Sequence, residues 1–357
     1  MKLPKLKIGN ITARLPIVQG GMGVGISLSS LAGAVAENGG IGVISAVEIG
    51  FNEDDYEKNK KEANLRALKS HIKRAKHIAK EGIIGVNIMT AVNNFEEMVK
   101  ESVKEKVDII FSGAGLPLKL PKYTKGSDTK IAPIVSSGRT AAIICKSWAK
   151  RYNILPDAIV LEGPKAGGHL GFKKDELGKP STELKNLLSD VKKAIEPFED
   201  KFKMKIPVIA GGGLYDGKDI AEILKAGAQG VQLGTRFVAT HECDASFEFK
   251  QAYINANEDD IAIIKSPVGM IGRAINNDFL RSIESEEKRK IHCLTNCLKP
   301  CKPNKAPYCI AKALINSQKG NMKEGFAFAG ANVHKVKEIV SVKELMDDLS
   351  KDIERYL

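Results

Sequence analysis

Long apolar runs are missing from this chain. No stretch of about 18 apolar residues occurs, which excludes a helix spanning a bilayer. The start, "MKLPKLKIGN", is basic but is not followed by the apolar segment of a secretory signal. The expectation is therefore a soluble, cytoplasmic protein. Aromatic residues are scarce, at 6% with one tryptophan. Cysteine is sparse over most of the length: Cys145 and Cys243 stand apart, and the other four fall at 293–309. Without an export signal, a disulfide framework is not expected.

Charge of one sign is plentiful. The formal balance is +12, and much of it sits in "YEKNKKEANLRALKSHIKRAKHIAKE" (56–81). There Leu65, Leu68, Ile72, Ala75 and Ala79 recur at helical spacing, so the lysines belong to the opposite, wet face. No aromatics interleave with them, which argues against a nucleic-acid surface. The excess would equally suit an anionic substrate or an acidic carrier protein.

At 357 residues and 43% hydrophobic, the chain can bury a full core. Apolar, β-branched runs recur with helical stretches between them: "PIVQG" (16–20), "IGVISA" (41–46), "IIGVNIM" (83–89), "DIIFSGAG" (108–115), "IAPIVSS" (131–137), "AIVLEG" (158–163), "PVIAGGG" (207–213) and "GVQLGTRF" (230–237). Most are continuously apolar, as parallel strands buried on both faces should be. Eight such strands, each followed by a helix, spell a TIM (β/α)8 barrel of the α/β class. Ser27 is a plausible N-cap of the first helix, and Gly39 or Gly40 its stop. The expected organisation is a barrel over residues 1–242, a mainly helical capping region with the cysteines over 243–325, and a C-terminal segment with a last helix over 326–357.

In this fold the active site lies at the C-terminal strand ends. Glycine and small polar residues replace bulk at nearly every one of those ends, which clears room for a large flat ligand to lie on backbone. The loops after strands seven and eight form the usual barrel phosphate site, where backbone N–H groups hold an anion without a lysine. Gly211, Gly212, Gly213, Gly234 and Thr235 are the candidates. "GGMGVG" (20–25) is not a dinucleotide fingerprint: counted from Gly21 the third glycine position holds Ile26, and from Gly23 it holds Leu28. Arg273, in the cap, is a candidate contact for an anionic substrate.

"PIVQGGM", a "GVN" strand, "EGPKAGGHLG" (162–171), "PVIAGGG" and "GVQLGTRF", followed by "SPVGM" and "FAGAN" (328–332), resemble the nitronate monooxygenase family in content and order. That family, formerly the 2-nitropropane dioxygenases, includes FMN-dependent enoyl-acyl-carrier-protein reductases. The resemblance implies FMN on the barrel. Gly21 and Met22 would offer backbone to the isoalloxazine ring and Asn87 a hydrogen bond, with Glu162, Gly167 and Gly168 beside the ring and ribityl chain. The glycines after strands seven and eight, with Thr235, would hold the phosphate. His169 occupies the place of the catalytic histidine, and an imidazole suits acid–base work near neutral pH.

Two branches of chemistry follow from the resemblance. In one, an alkyl nitronate is oxidised with dioxygen. In the other, NAD(P)H is the reductant of an enoyl thioester and an acyl carrier protein is the partner. Ala166, where the reductases carry serine, tips the reading toward the first branch. Ile271 stands where related sequences often have proline. "CLTNCLKPCKPNKAPYC" spaces Cys293, Cys297, Cys301 and Cys309 by three, three and seven residues, unlike the common metal signatures. The expectation is packed thiols at the substrate mouth and no metal. The oligomeric state stays open, a homodimer included.

Overall fold

The computed structural model describes residues 3–285, 291, 293 and 297–357. Eight parallel strands close into a barrel: β1 (Ile17–Gln19), β2 (Ile41–Ser45), β3 (Ile83–Asn87), β4 (Ile109–Ser112), β5 (Lys130–Val135), β6 (Ile159–Glu162), β7 (Val208–Gly211) and β8 (Gly230–Leu233). β8 closes the ring on β1 through the Val18–Gln232 pair. Every run read as a strand from its β-branched content is one. The physical basis shows in the packing, because successive residues serve different cores. Val18, Val43, Phe111, Ala132, Val160 and Ile209 join one cluster, while their neighbours Ile17, Ile44, Ile110, Ile131, Ile159 and Ala210 join the other, larger one. Strands buried on both faces have no wet side on which to place polar residues. A short antiparallel pair, Leu6–Ile8 with Ile11–Ala13, adds Leu6 and Ile8 to the first cluster.

The connecting helices are α1 (Ser29–Glu37), α2 (Lys60–Ala79), α3 (Phe95–Lys104), α4 (Leu120–Thr124), α5 (Gly138–Tyr152), α6 (Leu184–Phe202), α7 (Gly217–Lys225) and α8 (Thr235–Val238). The lysine-rich segment is α2, and its Leu68, Ile72, Ala75 and Ala79 are buried as the spacing requires. α8 is only four residues long. The last helix, α12 (Val342–Tyr356), packs between α7 and α1 and completes the outer ring that so short an α8 leaves open. Its Asp352 accepts from Gly217 N at 2.7 Å, capping α7. Among the described residues no helix is long and apolar enough to cross a membrane.

The N-terminus of α1 is capped from far along the chain. Ser27 is not its cap, because the Ser27 hydroxyl accepts from Met22 N at 2.8 Å and holds the β1–α1 loop instead. Asp244 takes that place, accepting from Leu28 N at 2.8 Å, Leu31 N at 3.2 Å and Ser30 N at 3.3 Å. Three otherwise orphaned donors share one half-buried carboxylate. Asp244→Ala is expected to lower unfolding free energy by about 2–3 kcal/mol, since charge-assisted bonds are lost and amides are left unpaired. Urea unfolding measures this, and a loss within error of zero would contradict the assignment.

Between β8 and α12 the cap contains α9 (Phe247–Ile254), α10 (Asp278–Glu284) and α11 (Ile310–Gln318), but it is not mainly helical where it meets the barrel. β9 (Ile261–Lys265) and β10 (Ile271–Ile275) form an antiparallel hairpin. The turn closes with Ser266 N donating to Met270 O at 2.8 Å, and Gly269 adopts φ +83°. The cap has the expected helices and, in addition, this hairpin, which carries Arg273 on a strand. Two isoleucine-rich runs flank a Pro-Val-Gly turn, which is a hairpin signal in its own right. A third strand, Gly168–His169, joins the sheet by pairing with Gly272 and Arg273.

Candidate active site

The strand ends open into a cavity of about 440 Å³, a size ordinary for a cofactor or small-molecule site. Gly21, Met22, Asn87, Glu162, Gly167, Gly168, His169, Gly211, Gly212, Gly213, Gly234 and Thr235 all line it. These residues come from five strand ends and lie up to 214 positions apart in sequence. The barrel brings them together because parallel strands all end on one face. The cap adds an apolar wall that includes Met270, Leu298, Ile310, Leu314 and Phe328.

The loop after β6 is held from three sides. Arg273 sits on β10 and is 8% exposed. Its Nη1 donates to Pro164 O at 2.6 Å and Ala166 O at 2.7 Å. Burial lowers its pKa. Arg273 does not line the cavity, so the guanidinium braces the loop that carries His169 rather than reaching toward a ligand there. Leu170 N donates to Ile271 O at 2.9 Å, extending the sheet one residue further. Ser136 Oγ donates to Gly171 O at 3.1 Å.

The Gly-Gly pair divides its work. A Cβ at Gly167 would sit 2.5 Å from Ala329 C and 2.7 Å from Gly330 N, so only glycine lets the loop lie on the 328–330 backbone. Gly168 has φ +84° and open space where a side chain would point. It therefore presents bare backbone to the cavity. Gly21 is close-packed in a similar way, since its Cβ would fall 2.3 Å from Asn87 Cβ.

His169 is half-buried, with the Phe328 ring 5.1 Å away. Its Nε2 is 2.7 Å from the hydroxyl of Ser266 in the hairpin turn. Burial pushes its pKa down to about 4, so the ring is neutral at neutral pH. Glu162, at the end of β6, is affected in the opposite sense: burial pushes its carboxyl up to about 7. Desolvation disfavours the charged form in both cases.

Thr235 Oγ1 accepts from Gly330 N at 3.0 Å, which leaves its hydroxyl proton free for an anion. Asn332 Nδ2 donates to Gly213 O at 2.7 Å and ties the "FAGAN" segment to the β7 loop. Arg236 is turned away, its Nη1 donating to Tyr215 O at 3.1 Å. Ser266 and Phe328 lie within motifs already quoted, yet no local pattern ties either to His169.

Cys297 lines the cavity half-buried, and burial pushes its thiol up to about 12. Cys301 and Cys309 are partly buried and Cys293 is exposed. Residues 294–296 lie outside the described residues. Among the described residues no three His, Cys, Asp or Glu side chains are arranged to hold a metal. Cys145 and Trp148 are core, as their helix position implies.

Comparison with known proteins places this architecture. Over 269 residues the chain is 27% identical to a 5-hydroxy-7a-methyl-1-oxo-octahydro-1H-indene-4-carboxyl-CoA dehydrogenase from Rhodococcus jostii, covering 75% of this chain and 65%, just under two thirds, of that protein. It is also 27% identical over 304 residues to a probable nitronate monooxygenase from Staphylococcus aureus, covering 78% of this chain and 79% of the relative. Among solved structures, FabK from Thermotoga maritima superposes with a TM-score of 0.74 at 27% identity, over 95% of this chain and 93% of that one. A nitroalkane oxidase from Streptomyces ansochromogenes shares the fold, with a TM-score of 0.73 at 21% identity over 96% and 97% of the two chains. The sequence pattern of the nitronate monooxygenases matches residues 5–352, nearly the whole chain, and this protein is an oxidoreductase belonging to that family.

Proposed function

We propose that the protein is an FMN-dependent oxidoreductase that oxidises alkyl nitronates with dioxygen. The residues present fit the cofactor. Gly168 and Gly21 offer backbone without bulk. The loops carrying Gly211, Gly212, Gly213, Gly234 and Thr235 gather N–H groups and a free hydroxyl for a phosphate. Asn87 and Glu162 line the cavity with no side-chain hydrogen bond to protein among the described residues, which leaves both for a ligand. Bound there, FMN would supply electron transfer between substrate and oxygen.

The observation that carries the reading is the state of His169. A neutral imidazole lining the cavity can hydrogen-bond an anionic substrate, but it has no spare proton to give at neutral pH. A nitronate already carries its negative charge and requires no such acid. Enoyl-thioester reduction needs a proton delivered to the product carbon, which this histidine is poorly charged to supply. The thioester branch, with NAD(P)H as reductant and an acyl carrier protein as partner, retains one specific support in the +12 charge of the chain, since carriers are acidic.

Purified protein should be yellow or take up added FMN; a colourless protein that takes up none would sink the proposal. Oxygen uptake on propionate-3-nitronate should then exceed anaerobic flavin reduction by NAD(P)H. The reverse order would assign the thioester branch instead.

A further inference from the structure

The hairpin β9–β10 holds His169 twice. It pairs with the histidine's backbone through Gly272, and the side chain at its turn, Ser266, reaches Nε2 at 2.7 Å. Ser266 is 3% exposed, so its hydroxyl must satisfy itself within the protein. Its oxygen already faces one donor, Val268 N at 3.5 Å. Were it also to accept from an Nε2–H, its own proton would have no acceptor among the described residues. Were it instead to donate to a bare Nε2, the hydroxyl proton, the Val268 amide and the ring nitrogen would all be partnered. The first arrangement leaves its unmade donor on the buried Ser266, at a cost of about 1–3 kcal/mol, whereas the second leaves it on Nδ1, which opens to the cavity, and that difference favours the second.

We infer that Ser266 is a positioning residue that locks His169 in the tautomer protonated at Nδ1. That nitrogen has no hydrogen-bond partner among the described residues and is not sealed from the cavity. The site therefore shows its ligand an N–H and not a lone pair. An N–H binds the oxygens of a preformed nitronate, whereas removing the α-proton of a neutral nitroalkane needs a lone pair. Ser266 in this way selects the anion over its conjugate carbon acid. The selectivity rests on the nitronate reading above; the tautomer does not.

Ring-nitrogen NMR of the ¹⁵N-histidine-labelled full chain at neutral pH reads the tautomer directly, with His169→Gln identifying the signal. The expected spectrum has a protonated Nδ1 and a bare Nε2 in the wild type. Ser266→Thr, which keeps the hydroxyl, should preserve it, and Ser266→Ala should lose it. A wild-type ring protonated at Nε2, or an alanine spectrum like the wild type, would overturn the inference. Retention of the spectrum by the threonine variant distinguishes the hydroxyl's role from a general loss of packing.

With FMN bound, the preference in kcat/KM for propionate-3-nitronate over 3-nitropropionate should fall about tenfold or more in Ser266→Ala and survive in Ser266→Thr. A preference unchanged by alanine would refute the selection. If the wild type turns over neither compound while the NMR result holds, the nitronate reading fails and the positioning role of Ser266 stands.

Discussion

Oxygen uptake on propionate-3-nitronate should fall by about 10²- to 10⁴-fold when His169 is replaced by alanine, the range spanned by a single positioned acid–base or hydrogen-bonding group. The fold should survive, because the strand Gly168–His169 is held by main-chain pairing to Gly272 and Arg273. Arg273 keeps its two carbonyl acceptors in the same loop. FMN binding should change little, since the proposed contacts to ring and phosphate come from glycine backbone, Asn87 and Thr235. An oxygen electrode and flavin absorbance test the two halves separately. Turnover within a few-fold of wild type, with flavin fully bound, would remove His169 from the chemistry and reduce the barrel to a flavin carrier. A parallel loss of flavin would make its role structural.

Glu162 should make flavin-free protein weaker as pH rises. Its folded pKa, about 7, stands above the ordinary value of 4.5, because burial penalises the carboxylate. The folded state thus holds a proton that the unfolded chain releases, and ∂ΔG/∂pH is negative between the two values. The stabilisation is fully present below pH 4.5 and is lost by about pH 7. The gap of two to three pKa units corresponds to about 3 kcal/mol as a ceiling, lower to the extent that cavity water reaches the carboxyl. Glu162→Gln keeps the shape and removes the ionisation. At pH 8 the variant should be more stable than wild type by up to that amount, and at pH 4 the two should coincide. Urea unfolding at both pH values decides it, and parallel curves would show that Glu162 finds a compensating partner in solution.

The cavity illustrates why some of this was legible without coordinates. Glycines at Gly168, Gly211 to Gly213 and Gly234 fall just past continuous apolar runs, and a barrel collects all such positions at one mouth. With the strands legible in composition, the position of the cavity follows from topology. Gly167 shows the limit. It stands beside Gly168 in the same motif, yet it is glycine because the 328–330 backbone lies on it, a fact set by residues about 160 positions away.

The cap depends most on contacts between residues distant in sequence. Arg273 looks like an anion contact when seen as a cationic residue in a polar loop. In the structure it is a buried brace, because the hairpin carries it beneath the β6 loop, where two carbonyls lacked donors. Ser27 looks like a helix cap because it precedes a helix, but Asp244 arrives from 217 residues away to cap three amides at once. Local spacing records what a residue is able to do, and tertiary contact decides which of those options has the lowest free energy.

The sequence by itself determined the eight strands, their burial on both faces, the end of the barrel at which the glycine-lined cavity opens, and the presence there of His169. Those features depend on periodicity and residue type within a few positions, which the chain carries wherever it goes. Only the tertiary structure decided that the strand Gly168–His169 is completed by a hairpin about 100 residues later, that Ser266 takes Nε2, and that desolvation leaves His169 neutral and Glu162 hard to ionise. Hydrogen-bond partners and local dielectric are properties of neighbours in space, and these neighbours meet only when the cap closes over the barrel.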